Sequence, residues 1–460
     1  MRTSFSLPIL GRPIGVPLLA LLLASTPAAA ETPADTSPPT TRVAVDAMLE
    51  CERPDGGWMY VCFPEHGLFG VTKIVNLAAQ TQQMLGLEPW DLVVLRSPGT
   101  PAAGLLLLEA WHATGEPRYL EAARRNGDLL VNLQLPSGGW FSEMPVHGNQ
   151  LAGWFKWTVS ATTLDDDVTT GAVRFLLALW EDTRNPRYRD AAERGLDLLL
   201  ESELLSGGWP LTHRPPILRL LSPSFEDLPS LNDAATTAVI RTLVAGSRTL
   251  NRPDLLEAAK RGGDWLVATR REAPAAGWAQ QYDLGGHPVP GRRFEPAALA
   301  SWETRHAMEA LVELAGATGD PSYCEAVAES ADWLMKSALA PGCWSRFVSS
   351  DTGEPIFLDA QGVAVSTPDE AKRPYRWVGD YGIPALLASL GIDTETAVPR
   401  LPGDSGDCPG AQRSTGPRHL TRNPRARIGE VGSLLAGKER TESPCRVRTR
   451  TASHDAAPLP

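Results

Sequence analysis

The chain has 460 residues and a formal net charge of -11, enough length for one large domain or two smaller ones with a sizeable core. That acidic balance excludes nucleic acid as the main partner. It leaves an anionic substrate open, because a cleft can be locally basic on an acidic protein.

Residues 1–30 carry Arg2 and Arg12 ahead of the apolar stretch VPLLALLLA and the small residues Ala28, Ala29 and Ala30 before Glu31. This pattern predicts a cleaved secretory signal peptide and a secreted or periplasmic protein. The apolar core is shorter than the ~20 residues of a spanning helix, so no membrane association is expected after cleavage. Residues 31–44, ETPADTSPPTTRVA, read as a flexible leader. Export permits disulfides. By proximity the six cysteines form the couples Cys51 with Cys62, Cys324 with Cys343 and Cys408 with Cys445, and none has metal-ligand spacing.

From 45 to 398 the chain repeats itself. ATGEPRYLEAARRNGDLLVNLQLPSGGWF from Ala113, DTRNPRYRDAAERGLDLLLESELLSGGWP from Asp182, LNRPDLLEAAKRGGDWLVATRREAPAAGWAQ from Leu250 and ATGDPSYCEAVAESADWLMKSALAPGCWSRF from Ala317 share one layout. A turn with Pro leads into an amphipathic helix and then a Gly-Trp loop. A more uniformly apolar helix precedes each: GLLLLEAWHA, GAVRFLLALWE, AVIRTLVAGSR and RHAMEALVELA. Two helices per unit predict stacked hairpins, hence an all-α fold, an α/α toroid with the more apolar helix of each pair inside. Trp140, Trp209, Trp278 and Trp344 take equivalent loop positions, where each can plug neighbouring hairpins or face a sugar; their repetition favours the plug. From 399 to 460 the chain is rich in Arg, Pro and Gly without apolar periodicity and reads as a disordered or loosely attached tail.

Equivalent positions in a toroid share a rim. DDDVTT (Asp165 to Thr170), NDAATT (Asn232 to Thr237) and SWETRH (Ser301 to His306) precede successive inner helices, so their carboxylates should gather round one opening. Asp, Asn and Thr there are also ordinary N-cap residues. Three consecutive aspartates exceed what a cap needs, and they repel one another unless a cation or an Arg offsets them. A cap accounts for one of the three. Arg292 and Arg293, Arg346, and Arg373 with Arg376 fall near the same rim in GRRFEPAAL, CWSRF and KRPYRWVGDYG. Such a mouth suits a polyanion bound partly through a divalent cation, with internal Asp–Arg pairing as the alternative.

These motifs resemble polysaccharide lyase family 10, the pectate lyases with an α/α toroid, over about Cys51 to Leu390. TLDDDVTT lies on the family's T-[IL]-D-N-G-A-T-T run, with Asp165 at its Asp. SGGWPLTH with LNDAATT resembles G-G-W-P followed by N-D-N-A, with Asp233 at the acid. RRFEPAALASWE fits R-A-[YF]-E-[LP] followed by S-x-E, with Arg292 and Glu303 at the Arg and the later acid. CWSRF and KRPYRWVGDYG match the ending W-[AS]-R-F and R-x-x-Y-x-W.

The resemblance implies calcium-assisted anti β-elimination in polygalacturonate, and a monomer is expected. Asp165 and Asp233 would hold Ca²⁺. Asp166, Glu303, Arg346, Arg373 and Arg376 would bind substrate, and Arg292 would be the base taking the C5 proton. Free Arg stays protonated to very high pH, so a clamp on a uronate carboxylate is the other role for Arg292, and Arg293 competes with it if the motif shifts by one residue. Asp166 and Asp167 depart from the family's Asn-Gly, and SGGWFSEMP lacks the Pro-Lys that often follows its first GGW. Three other readings stay open. A uronyl hydrolase could use Asp165 and Asp233 as acid and base, a non-catalytic toroid could bind acidic glycans, and an isoprenoid-type cyclase would need an aromatic-lined cavity.

Overall fold

A computed structural model describes residues 45–46, 48–50, 52–53, 56–58, 92–146, 162–272, 275–371, 375–392 and 443–446. The predicted signal peptide and leader, Cys51, Cys62, Cys408, Arg373 and all of the tail except 443–446 lie outside these residues.

The predicted hairpins are present. In chain order the elements are β1 (Leu92–Val94), α1 (Thr100–Thr114), α2 (Pro117–Leu133), β2 (Glu143–Pro145), β3 (Thr162–Thr163), α3 (Val168–Thr183), α4 (Pro186–Glu201), β4 (Thr212–His213) and the short α5 (Pro216–Leu221). They continue with α6 (Ala235–Leu250), α7 (Pro253–Thr269), β5 (Leu299–Ala300), α8 (Ser301–Thr318), α9 (Pro321–Lys336), β6 (Trp344–Ser345), β7 (Phe347–Val348), β8 (Pro355–Leu358), β9 (Ala364–Val365), α10 (Pro368–Ala371), β10 (Val378–Gly379) and α11 (Ile383–Ser389).

Local chemistry explains the hairpin turns. Each inner helix stops at a left-handed residue: Gly115, Arg184, Asn251 and Gly319. Each outer helix then starts on proline, whose missing N–H costs nothing at a first helical position. The outer helices α2, α4, α7 and α9 pack side by side, and the inner helices α1, α3, α6, α8 and α11 form a second layer, each against the next. This is an α/α toroid of repeated hairpins. Inner helices bury residues on most of their circumference, as α3 does from Val168 to Leu179.

The Gly-Trp loops are plugs. Trp140, Trp209, Trp278 and Trp344 are fully buried. Their indole nitrogens donate to the carbonyls of Leu130, Leu199, Leu266 and Leu334 at 2.6–2.9 Å, all on the preceding outer helix. The backbone N–H of a Gly-Trp tryptophan in turn donates to a threonine hydroxyl on the next inner helix: Trp140 to Thr169, Trp209 to Thr236 and Trp278 to Thr304. A further unit, missed in the sequence, precedes these. Trp58 of DGGWMY donates to Met48 O and to Thr100 Oγ1 in the same manner.

Antiparallel hairpins put the N-termini of inner helices and the C-termini of outer ones at one end. The strand pairs β1–β2, β3–β4, β6–β10 and the run β5-β7-β8-β9 tie the loops there. The rim residues therefore sit on segments held by backbone bonds.

The proximity couples Cys324 with Cys343 and Cys408 with Cys445 are overturned. Cys324 on α9 bonds Cys445, 121 residues away, and Cys343 is also disulfide-bonded, so nearness in sequence does not decide. Cys445 is buried in the hydrophobic core, which makes Ser443–Arg446 an anchored part of the fold rather than loose tail. No helix among the described residues is long and apolar enough to cross a membrane.

Candidate active site

Asp165, Asp166 and Asp233 converge. One carboxylate oxygen from each lies within 4.8 Å of the others. Asp165 and Asp166 stand between β3 and α3, and Asp233 in the 3-10 turn Asn232–Ala234 before α6. Both segments make the same two-residue left-handed step, with φ of 50° and 60° at Asp166 and Asp167 and 48° and 64° at Asp233 and Ala234. Asp166 and Asp233 are thus the same position in adjacent repeats. Aspartate tolerates this region better than most residues, but the step still costs conformational energy.

Backbone bonds fix the cluster. Asp166 N–H donates to Asp233 C=O at 3.0 Å, Ser97 N–H to Asp166 C=O at 2.8 Å, and Asp165 N–H to Leu211 C=O at 3.2 Å. Burial first, then the charges of Asp166 and Asp233, raise the Asp165 carboxyl well above its usual range, against the pull of Arg96 and Arg292. Three hard oxygen donors at this spacing fit one divalent cation: at 2.3–2.6 Å from each ligand, oxygens sharing a Ca²⁺ lie within roughly 5 Å of one another.

Asp167 leaves the cluster. It occupies the N-cap position of α3, yet its side chain caps no backbone N–H. Its carboxylate instead accepts from Thr170 Oγ1 at 2.7 Å and pairs with Arg174. The expectation that one aspartate serves as an ordinary cap is corrected accordingly. The left-handed backbone turns that carboxylate toward the inner helix.

Among the arginines, Arg292 reaches the cluster. Its Nη1 lies 2.9 Å from Glu295 Oε1 and 3.8 Å from Asp233 Oδ2. Burial alone would lower the guanidinium's affinity for its proton, but Glu295 and Asp233 outweigh it, so Arg292 is held charged above its ordinary range. Arg293 is exposed, and no charged contact ties it to the cluster among the described residues. The motif therefore reads in register. Arg376 is exposed, its Nε donating to Val378 O at 3.1 Å.

Glu303 and Arg346, expected to touch substrate, lie beneath the rim. Both are buried, and Arg346 Nη2 donates to Glu303 Oε1 at 2.5 Å. The Arg346 guanidinium sits 4.7 Å from the rings of Trp302 and of Tyr375. Burial pushes the Glu303 carboxyl up to about 7, opposed by Arg346 and Gln280. In the free protein each is the other's partner in this buried pair.

Several site residues carried no assignment from the sequence. Gln280 Nε2 donates to Glu303 Oε1 at 2.8 Å and to Asn232 Oδ1 at 3.0 Å, and Asn232 Nδ2 reaches Glu295 Oε1 at 3.4 Å. Tyr375 Oη donates to the same Glu295 oxygen. A continuous network therefore joins Arg292 to Arg346. Arg96 Nη1 lies 3.5 Å from Asp166 Oδ2. Glu295 was visible in RRFE; Gln280 and Arg96 lie in loops with no local signal.

Residues 146–340 match the family model Pec_lyase, pectic acid lyase. Over that stretch the chain is similar to the pectic acid lyases. The match spans Asp165, Asp166, Asp233, Arg292 and Glu303, so the cluster and its arginine lie within the matched stretch. Among solved structures, a family 10 polysaccharide lyase from Cellvibrio cellulosa is 17% identical with a TM-score of 0.47, covering 63% of this chain and 96% of that one. A point mutant of that organism's family 10 enzyme, in complex with trigalaturonic acid, is 16% identical with a TM-score of 0.48, covering 63% of this chain and 97% of that one. A cellobiose 2-epimerase from Bacillus thermoamylovorans is 11% identical with a TM-score of 0.42, covering 55% and 63%. No curated protein matches this chain in sequence.

Proposed function

We propose that the lyase cleaves polygalacturonate by calcium-assisted anti β-elimination, after export as a secreted or periplasmic monomer. The observation that carries this reading is the convergence of Asp165, Asp166 and Asp233 beside Arg292. In the reaction the C5 proton leaves, the bond from C4 to the glycosidic oxygen breaks, a C4–C5 double bond forms, and the departing oxygen takes up a proton. A Ca²⁺ held by Asp165, Asp166 and Asp233 would bind a uronate carboxylate and withdraw charge from C5.

The chain's own residues do the remaining work. Arg292 points a charged guanidinium at the cluster and offers two-pronged binding to a uronate carboxylate, where negative charge develops as C5 loses its proton. Glu295 opposes any loss of the Arg292 proton. The arrangement thus favours Arg292 as clamp and charge stabiliser in the free protein, and service as base requires that the field of Asp233 be offset first. Arg376, which is exposed, and Arg373, three residues before it in sequence, are the cations offered to further uronates.

The rival readings are less well supported. A hydrolase needs its acid and base on either side of the scissile bond, whereas Asp165 and Asp233 share one tight cluster with a third carboxylate. A cyclase needs aromatics facing a cavity, and the repeated tryptophans are spent in the wall. The test is incubation with polygalacturonate and calcium. Ultraviolet absorbance from a 4,5-unsaturated uronide should grow and should stop on chelation. Silence across several uronans would sink the lyase reading, and retained turnover in Arg292→Ala would remove Arg292 from the chemistry.

A further inference from the structure

We propose that Glu295 is a positioning residue that holds Arg292 off Asp233 and so keeps Asp233 available as a cation ligand. The inference rests on the cation reading of the aspartate cluster.

One nitrogen, Arg292 Nη1, faces two carboxylates. It is hydrogen-bonded to Glu295 at 2.9 Å and only near Asp233 at 3.8 Å. The nearer contact is fixed from several sides. Glu295 Oε2 accepts the backbone N–H of Arg292 at 2.7 Å, while Oε1 accepts from Arg292, Tyr375 and, at 3.4 Å, Asn232. The carboxylate is 2% exposed against 25% for Asp233. The loop is shaped round it: a Cβ on Gly291 would fall 2.5 Å from Glu295 Oε2, and Glu295 N–H closes a turn onto Arg292 C=O at 2.8 Å.

Without Glu295 the guanidinium would lose its best acceptor, and the nearest remaining carboxylate is Asp233. A direct, charge-assisted pair there would occupy an oxygen that the cation needs. Glu295 thus acts on the cation through Arg292, although it is no ligand itself. Removing its charge should weaken calcium binding, and removing Arg292 as well should abolish that effect.

Calorimetric titration of the full-length protein with calcium chloride, without substrate, tests this. Glu295→Gln is expected to weaken calcium binding about tenfold, the range of outer partners of metal ligands. Tyr375→Phe should weaken it less, in the same direction. Arg292→Ala should bind at least as tightly as wild type, and adding Glu295→Gln to Arg292→Ala should change nothing further. Wild-type affinity in folded Glu295→Gln, or an equal loss in the Arg292→Ala background, would overturn the proposal while leaving the cation site intact. Should Glu295→Gln fail to fold, an unchanged affinity in Tyr375→Phe overturns it instead. Wild-type protein that takes up no calcium would bring down both readings.

Discussion

Asp167 and Arg174 are ion-paired two turns apart at the start of α3, with Thr170 Oγ1 on the other carboxylate oxygen. This pair separates the third aspartate of the run from the first two. Asp167→Gly should therefore leave calcium affinity unchanged, while Asp166→Asn should weaken it on the order of tenfold through loss of a charged ligand. Asp167→Ala should be less stable than Asp167→Gly by ~1 kcal/mol, the reverse of helix propensity, because only glycine relieves the φ of 60°. Equal stabilities would show that the left-handed step carries no strain.

Glu109 on α1 has its carboxyl raised to about 7 by burial, opposed in part by His112, and its Oε1 has no hydrogen-bond partner among the described residues. A carboxyl that holds its proton more tightly when folded contributes full stability below its unfolded value near 4.5. That contribution is lost as pH rises from about 4.5 to about 7. Glu109→Gln should accordingly stabilise the protein at pH 8 by on the order of 1–3 kcal/mol and by nothing at pH 4. Urea unfolding in the presence of a chelator reads this difference, and an equal effect at both pH values would refute it.

Trp278 shows whether the wall tryptophans serve sugar. Trp278→Phe deletes the bond to Leu266 O and part of the buried ring, so the urea midpoint should fall by an amount equivalent to ~1–3 kcal/mol. The KM for polygalacturonate should not move. A raised KM at unchanged stability would restore the sugar-facing role.

The Cys324–Cys445 bond spans 121 residues. On loop entropy its removal costs at most about 5 kcal/mol. Cys324→Ser should show a lowered thermal midpoint, with normal turnover well below that temperature. An unchanged midpoint would mean that packing of Cys445 in the core suffices without the bond.

The fold was legible because its signals are local and repeated. Proline starts, Gly-Trp loops and apolar inner helices recur in every unit, so each helix pair announces itself. The DGGWMY unit escaped because a single GGW without its helix is a weak signal. Of the site, the carboxylates that converge stand at equivalent repeat positions, which repetition alone brings together. That Glu303 and Arg346 are buried against each other was not legible, because sequence does not tell a rim residue from one a layer beneath it. Gln280 had no signal, since its importance lies in contacts across tens of residues, and Tyr375 stood in the R-x-x-Y-x-W match with no role assigned to it. The disulfide was misread for the same reason.

Asp166 and Asp233 each stand three residues ahead of the threonine that binds a tryptophan N–H, Thr169 and Thr236. The gap between the two carboxylates is therefore gauged from the wall, by two hydroxyls each measured off an indole-bearing loop. Side chains at 165, 166 and 233 can change the charge offered to a ligand while the caliper that spaces them stays set. A substitution at Thr169 or Thr236 would do the opposite, keeping every ligand and losing the distance between them.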